Sequence, residues 1–337
     1  MSRLRTISIP AVQSSFRQQI RAVGLSLPVI GLFLILAIVP IYVKDVYILR
    51  LLAISLLLGS QAMAFDFTGG FINAVNFGFA GFVGLGAYTS GLLASNFGIS
   101  PWLGIVCALI VSGMVGFLTG MLTLPLRGIY VSLMSWFVGM ALMALASAMV
   151  DVTRGARGLI MGPLLENETI QAHFYILLGI TLVTYVLFRG IIRSNAGLAF
   201  LAIGQNFDAA RASGVNPTRY KLMNFTLSCA WAGLLGGYYG HFVGIITPDI
   251  MDTGHTMEVM ALSYIGGSGS LLGGLIAAFL FIPAFDYLKR LMELRLLIYG
   301  MSLILIMILY PAGLAGLYQA VVARIRKWRR LPDYQST

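Results

Sequence analysis

The uncharged runs in this chain decide what it can fold into. From Trp102 to Leu124 no residue carries a charge, and comparable apolar runs recur between Leu25 and Tyr310 with polar breaks between them. About 20 apolar residues in helical form cross a hydrocarbon layer about 30 Å thick. Inside that layer the backbone has to satisfy its own hydrogen bonds, which a helix does and an isolated strand does not. Composition agrees: 58% of the 337 residues are hydrophobic and 10% charged, against about 25% charged in soluble domains. Mean hydropathy is +0.89. The expected fold class is all-α, a polytopic membrane helical bundle. It reads as one unit because no long polar linker interrupts it.

The formal net charge of +10 is placed as membrane anchors are, and membrane lipid rather than nucleic acid is its expected partner. Arg3, Arg5, Arg17 and Arg21 lead the chain, and Arg324, Arg326, Lys327, Arg329 and Arg330 close it. Residues 1–24 read as a basic cytoplasmic segment, 25–317 as the transmembrane domain, and 318–337 as a basic cytoplasmic tail. The lead does not read as a cleavable signal, because the apolar run after Ser26 has no small-residue cleavage site followed by a soluble domain. Cys107 and Cys229 sit in apolar runs, so neither a disulfide nor a metal pair is expected.

Spans are expected at Leu25–Val43, Val46–Phe65, Trp102–Leu124, Ile129–Val150, His173–Phe188 and Leu222–Ile246. Between Asp66 and Asn96 glycine recurs at 69, 70, 78, 81, 84, 86 and 91, which favours a bent or broken third span. Residues 151–172 form the longest loop on the outer face. Residues 255–288 read either as one span or as two short segments turning at Gly266-Gly267-Ser268-Gly269. Charge bias favours the second reading, with a last span at Leu296–Tyr310. The result is about ten transmembrane segments with both termini inside. Arg127, residues 193–221 and the Gly266–Gly269 turn then share the inner face. The glycine-rich regions 69–91 and 233–274 hint at a duplicated, inverted architecture.

The longest polar-leaning insert is Arg193–Lys221. Its middle predicts one short helix from Leu198 to Ser213, ended by Gly214, with Asn216-Pro217 turning the chain into the next span. A short helix on the positively charged side offers a surface to a cytoplasmic partner.

Chain-borne chemistry is sparse. No Gly-x-x-x-x-Gly-Lys-Ser/Thr occurs, so a P-loop is not expected. Gly267–Gly273 is glycine-rich but lacks lysine, and helix packing explains it better. His173, His241 and His255 have no metal-ligand spacing. Asp66, Glu258 and Asp286 lie near span ends, where a carboxylate lines a path or, more commonly, sits at the interface or caps a helix. Tyr238 and Tyr239 either touch a solute or serve as interfacial aromatics.

Several motifs occur together in order. Phe77–Tyr88 reads FGFAGFVGLGAY, Leu126–Tyr130 reads LRGIY, and Ser194–Gly197 is followed by Ala202–Ala210, AIGQNFDAA. Gly214-Val215-Asn216, Tyr220-Lys221-Leu222 and Ala232-Gly233-Leu234 come next, then IGGSGSLLG at 265–273 and PAGL at 311–314. This order, from about Ala53 to Leu317, resembles the LivM-type permease subunits of branched-chain amino-acid ABC importers. The resemblance implies a sister permease, favouring a heterodimer, with two cytoplasmic ATPase subunits and a periplasmic solute-binding protein, in the bacterial inner membrane. ATP and magnesium would be bound by the partner subunits, with no cofactor, catalytic residue or metal on this chain. Related systems carry branched-chain or other amino acids, urea and amides, or organic acids.

The resemblance also assigns roles. Residues 194–220 become a coupling helix, with Leu198, Ala202, Gln205, Asn206, Phe207, Asp208, Arg211 and Gly214 as ATPase contacts. Gly78, Gly81, Gly84, Gly86, Tyr88, Gly266, Gly267 and Gly269 line the path or let helices pack. Two departures stand out. The family's charged RENE is here Gly204-Gln205-Asn206-Phe207, so an apolar contact centred on an exposed Phe207 is expected. The family's TGGxxGL is here Thr153–Leu159, TRGARGL. Arg154 and Arg157 therefore stand on the outer face, where they dock a binding protein, attract an anionic solute, or pair with Asp151, Glu166 or Glu168. A stand-alone secondary transporter or channel would need ionisable pairs in mid-span, and a membrane enzyme clustered polar groups at the interface.

Overall fold

The computed structural model describes residues 27–126, 128–165 and 169–287, with residues 300, 301, 304, 313, 314 and 316. The basic lead, Arg127, Glu166, Glu168, the expected span at 296–310 and the basic tail lie outside the described residues, apart from 300, 301 and 304.

The polar turn at Lys44-Asp45 divides α1 (Leu27–Tyr42) from α2 (Val46–Gly69). Asp45 caps α2, its carboxylate accepting from the N–H groups of Tyr47 and Ile48. α2 runs past the expected end and stops at Gly69. Residues 71–78 are non-helical, and α3 (Phe79–Phe97) begins only beyond them. The expected break is thus real. α3 ends on left-handed Gly98, and Pro101 opens α4 (Pro101–Thr123) at the position where a missing N–H costs nothing. α5 (Ile129–Ala148) follows.

The loop that follows holds a helical turn, α6 (Val150–Thr153), a 3-10 turn at Gly155–Arg157, and β1 (Leu159–Ile160). β1 pairs antiparallel with β2 (Ile245–Ile246), Leu159 opposite Ile246. α7 (Ile170–Arg193) leads to two short helices, α8 (Asn195–Gln205) and α9 (Phe207–Ala212). α10 (Pro217–Val243) starts earlier than hydropathy alone predicts, because Asn216 caps it and Pro217 fits its first turn. After β2 a 3-10 turn at Pro248–Met251 precedes α11 (Thr253–Gly266) and α12 (Leu271–Tyr287).

Among the described residues α2, α4, α5 and α7 are each long and apolar enough to cross a membrane. α11 and α12 meet that test only as a pair, bent by 112°. That bend falls at the glycine turn, as the two-segment reading of 255–288 requires. The chain is a multi-pass, all-α membrane bundle.

α10 is the centre, packed on α4 and α3. Gly113 and Gly116 of α4 face Ala230 and Cys229, and Gly120 faces Leu222, so α4 runs antiparallel to α10. Asn76 reaches Cys229 and Ser90 reaches His241, so α3 runs the same way as α10. α2 joins through Ser228 Oγ on Ala64 O (2.7 Å) and Asn224 Nδ2 on Phe67 O (2.7 Å). Polar side chains that find partners across helices hold a bundle where lipid gives no hydrophobic drive between them. α3 and α11 begin side by side deep in the bundle: the Ala80 N–H donates to Thr256 Oγ1 at 3.0 Å.

Candidate functional site

The insert at 194–220 folds as two helices where one was expected. Asn206 is the cause: its φ of −155° is extended, and its Oδ1 accepts from the N–H groups of Asp208 (3.1 Å) and Ala209 (3.0 Å). That side chain caps α9 and ends α8. Ser194 caps α8 by accepting from the Ala196 N–H. At the far end Gly214 takes φ +84°, while the Val215 N–H donates to Ala210 O and the Gly214 N–H to Arg211 O. These two bonds form a Schellman stop, as the position of Gly214 predicted.

The break changes which apolar side chains point outward. Phe207 is half-buried and packs on the core. It shares a cleft of about 250 Å³ with Ile72, Asn73, Leu126, Val131, Gly204 and Lys221. The expectation of an exposed Phe207 is therefore corrected: restarting the helix at 207 turns the ring into the body. Leu198 is instead 66% exposed and Leu201 42%. Gln205, Asn206, Asp208, Arg211 and Gly214 are exposed too, and Ala202 is half-buried.

α8 is clamped to the break that follows α2. A Cβ on Gly204 would lie 2.4 Å from Phe71 O, and Asn73 Nδ2 donates to Gly204 O at 3.0 Å. Asn73 itself sits at φ +58°, one of two non-glycine residues with positive φ among the described residues. The break also touches the bend between α11 and α12. Asp66 is buried, and its Oδ1 accepts from the Gly269 N–H (2.9 Å) and from Ser263 Oγ (3.2 Å). Gly267 and Gly269 have φ of +109° and +78°, and Gly266 packs against Gly273 with no room for a side chain. Asp66 therefore serves as a structural pin. The structure brings residues 70–78, α8, α9 and the 266–270 bend to one end of the bundle.

The other glycines pack helices. Gly78 and Gly81 meet α5 at Ser135 and Gly139, Gly84 meets Met251, and Gly86 meets Gly233. Tyr88 is buried, and its hydroxyl has no partner among the described residues. Tyr238 is fully buried with its hydroxyl 2.9 Å from His173 Nδ1, so it is structural. At the opposite end Arg154 and Arg157 are exposed beside the β1–β2 ribbon. Neither forms an ion pair among the described residues.

Residues 47–308 match the family model described as branched-chain amino acid transport system / permease component. The chain belongs to this family. It is 29% identical over 266 residues to the high-affinity branched-chain amino acid transport system permease protein LivM of Salmonella typhimurium, covering 70% of this chain and 62% of that protein. The Escherichia coli protein of the same name is 27% identical over 265 residues, with the same coverage. A probable branched-chain amino acid transport permease protein LivH of Methanocaldococcus jannaschii is 25% identical over 301 residues, covering 79% of this chain and 87% of that one. The chain thus spans 62% of the length of the two LivM relatives. No solved structure matches.

Some residues of this permease-family chain escaped the sequence reading. Leu201 joins Leu198 on the exposed face of α8. Lys221, at the end of the polar insert, is buried and its Nζ donates to Thr123 O (2.8 Å) and Leu126 O (3.2 Å), closing the end of α4. Arg50 is a lone cation within the apolar run of α2, and that placement was its signal.

Proposed function

We propose that this chain is the permease subunit of an ATP-driven importer. It takes an amino acid or related small solute from a periplasmic binding protein and passes it across the bacterial inner membrane, and it is not itself an enzyme. ATP and magnesium are bound and turned over on two cytoplasmic ATPase subunits, and the permease works paired with a sister permease, most simply a heterodimer. Branched-chain amino acids are the solutes named for its relatives.

The observation that carries this reading is the exposed apolar face of α8, with Leu198 and Leu201 turned away from the bundle outside any span. Two large apolar side chains on a short helix at the water-facing end mark a partner surface. The coupling contact therefore centres on Leu198 and Leu201, with Gln205, Asp208 and Arg211 around them. The clamp between α8 and residues 71–73 gives a route for force. A tilt of α8 moves the break after α2, and through Gly70 it moves the bend at Gly269, where a Cβ on Gly70 would lie 2.4 Å from the Gly269 nitrogen. Bistable rigid-body motion of this kind is how a closing partner re-aims a membrane gate.

The test is Leu198→Asp with Leu201→Asp in the assembled complex. The double variant should lose co-purifying ATPase and ATP-driven uptake while the chain's own melting temperature stays put. Wild-type uptake by that variant sinks the coupling assignment.

A further inference from the structure

The cleft that Phe207 shares holds a buried cation. Lys221 lines it and is only 8% exposed. Its Nζ donates to the carbonyls of Thr123 and Leu126, at and just past the end of α4. An ammonium has three donors, so these two bonds leave one over, and a carbonyl carries no full charge. Among the described residues no carboxylate forms an ion pair with Lys221. Asp208 of α9 is exposed and does not line the cleft. A buried charge without a counter-charge is costly, and an open cleft lets the counter-charge come from outside.

The cleft lies at the level of lipid headgroups. α4 has 23 residues, about 34 Å of helix axis, enough to cross the hydrocarbon layer once, so its end at Thr123 reaches that level. Ile72, Leu126, Val131 and Phe207 give the cleft apolar walls, and Gln205 adds an amide. A small soluble anion gains nothing from such walls. The helix that supplies Val131, α5, also exposes Tyr130, Leu133 and Phe137 along its flank, a surface for acyl chains. Tyr130 stands in the first turn of α5, where a ring with a polar tip suits the headgroup zone.

We propose that this cleft binds an anionic phospholipid, with Lys221 as the cation that takes its phosphate. Basic pockets between helices at the membrane surface hold such headgroups. The ammonium keeps its two carbonyl bonds and turns its third N–H to a phosphate oxygen, a charge-assisted bond. Gln205, exposed at the rim, offers a further donor. No carboxylate lines the cleft, so a zwitterionic headgroup finds no place there for its own cation. A lipid in this position fills the space between α8 and the link from α4 to α5, and so braces α8. The proposal requires no particular solute and stands apart from the importer reading.

The experiment uses the full chain in phosphatidylcholine nanodiscs doped with a photoactivatable phosphatidylglycerol, and maps the label by peptide mass spectrometry. Label should fall on residues 128–131 or 203–207. Lys221→Gln removes the charge and keeps an N–H donor, and it should lower that labelling by about tenfold or more. Lys221→Arg, which keeps the charge, should retain most of it. An unchanged melting temperature shows that the variants fold. If Lys221→Gln does not fold, wild-type labelling by photoactivatable phosphatidylglycerol against photoactivatable phosphatidylcholine still decides. Equal labelling of the cleft by the two lipids overturns the proposal, as does label confined to other segments. Loss of the label on adding glycerol phosphate assigns the cleft to a soluble anion and overturns the lipid. Loss of the label on assembly with the ATPase subunits assigns it to an acidic side chain of a partner and overturns the lipid as well.

Discussion

The spine of α3, α4 and α10 and the short-helix pair α8–α9 use apolar residues in opposite ways. In the spine the helices touch backbone to backbone. A Cβ on Gly236 would lie 1.8 Å from Val83 O, and one on Gly86 would lie 2.0 Å from Gly233 O. In the pair, Leu198 and Leu201 stand out from the body, 66% and 42% exposed among the described residues. The difference follows from solvent. Lipid tails are as apolar as leucine, so helices associate in them through close small-residue contact. At the aqueous end an uncovered leucine costs free energy until a partner buries it, at about 25 cal/mol per Å². Small residues therefore mark where the chain meets itself, and exposed large ones mark where it meets something else.

The largest effect expected from this contrast is at Gly236. Gly236→Val forces two helix backbones apart and should cost about 3 kcal/mol or more, read as lost expression and a lower melting temperature in detergent. Gly179, which a Cβ would crowd nowhere within 4 Å, is the control, and Gly179→Ala should be neutral or slightly stabilising. Equal tolerance at both sites would break the contrast. Next comes Asp66, which ties the spine's neighbour α2 to the 266–270 bend. Asp66→Ala leaves the buried Ser263 hydroxyl and the Gly269 N–H without their acceptor and should cost about 2 kcal/mol. Asp66→Asn, which keeps an acceptor oxygen, should cost less. Asn206→Ala removes a helix cap on the exposed side and should cost about 1 kcal/mol. Circular dichroism of the small helical loss, with uptake alongside, would show whether the kink between α8 and α9 is needed for coupling.

Much of this was legible in the sequence, for a physical reason. Span length is set by the bilayer, so the apolar runs located the long helices α1, α2, α4, α5, α7 and α10 with ends within about five residues. Turn chemistry was local as well: Gly98, Pro101, Gly214 and Asn216-Pro217 act where they stand. The misses have two sources. A single helix over 198–213 places Asn206 in its interior, although Asn two places before Asp is an N-cap signal, and it puts Phe207 on the wrong side. The other misses are long-range. Nothing near Asp66 in sequence announces Gly269, and nothing near Gln61 announces His255, because these pairs exist only once the bundle has closed. Arg50 was passed over because one cation does not disqualify an apolar run.

The smallest predicted effect tests the turn at Arg154, where the glycine of the resembled pattern is replaced. Arg154 stands at the first glycine of the family's TGGxxGL pattern and holds φ +62°. That left-handed conformation suits glycine and costs other residues about 1 kcal/mol. The turn thus holds a left-handed conformation with a residue that fits it poorly, which asks for a gain elsewhere. Internal pairing does not supply that gain through Asp151, since no such pair forms in the structure. Arg154→Gly separates the two sides of the balance. It should raise stability by up to about 1 kcal/mol, because the backbone strain is relieved. If Arg154 docks the binding protein, the same variant should raise the binding-protein concentration needed for half-maximal uptake several-fold, and Arg157→Gln should add to the shift. A stabilised variant with unchanged half-saturation would refute the docking role and leave Arg154 as an unrepaid strain.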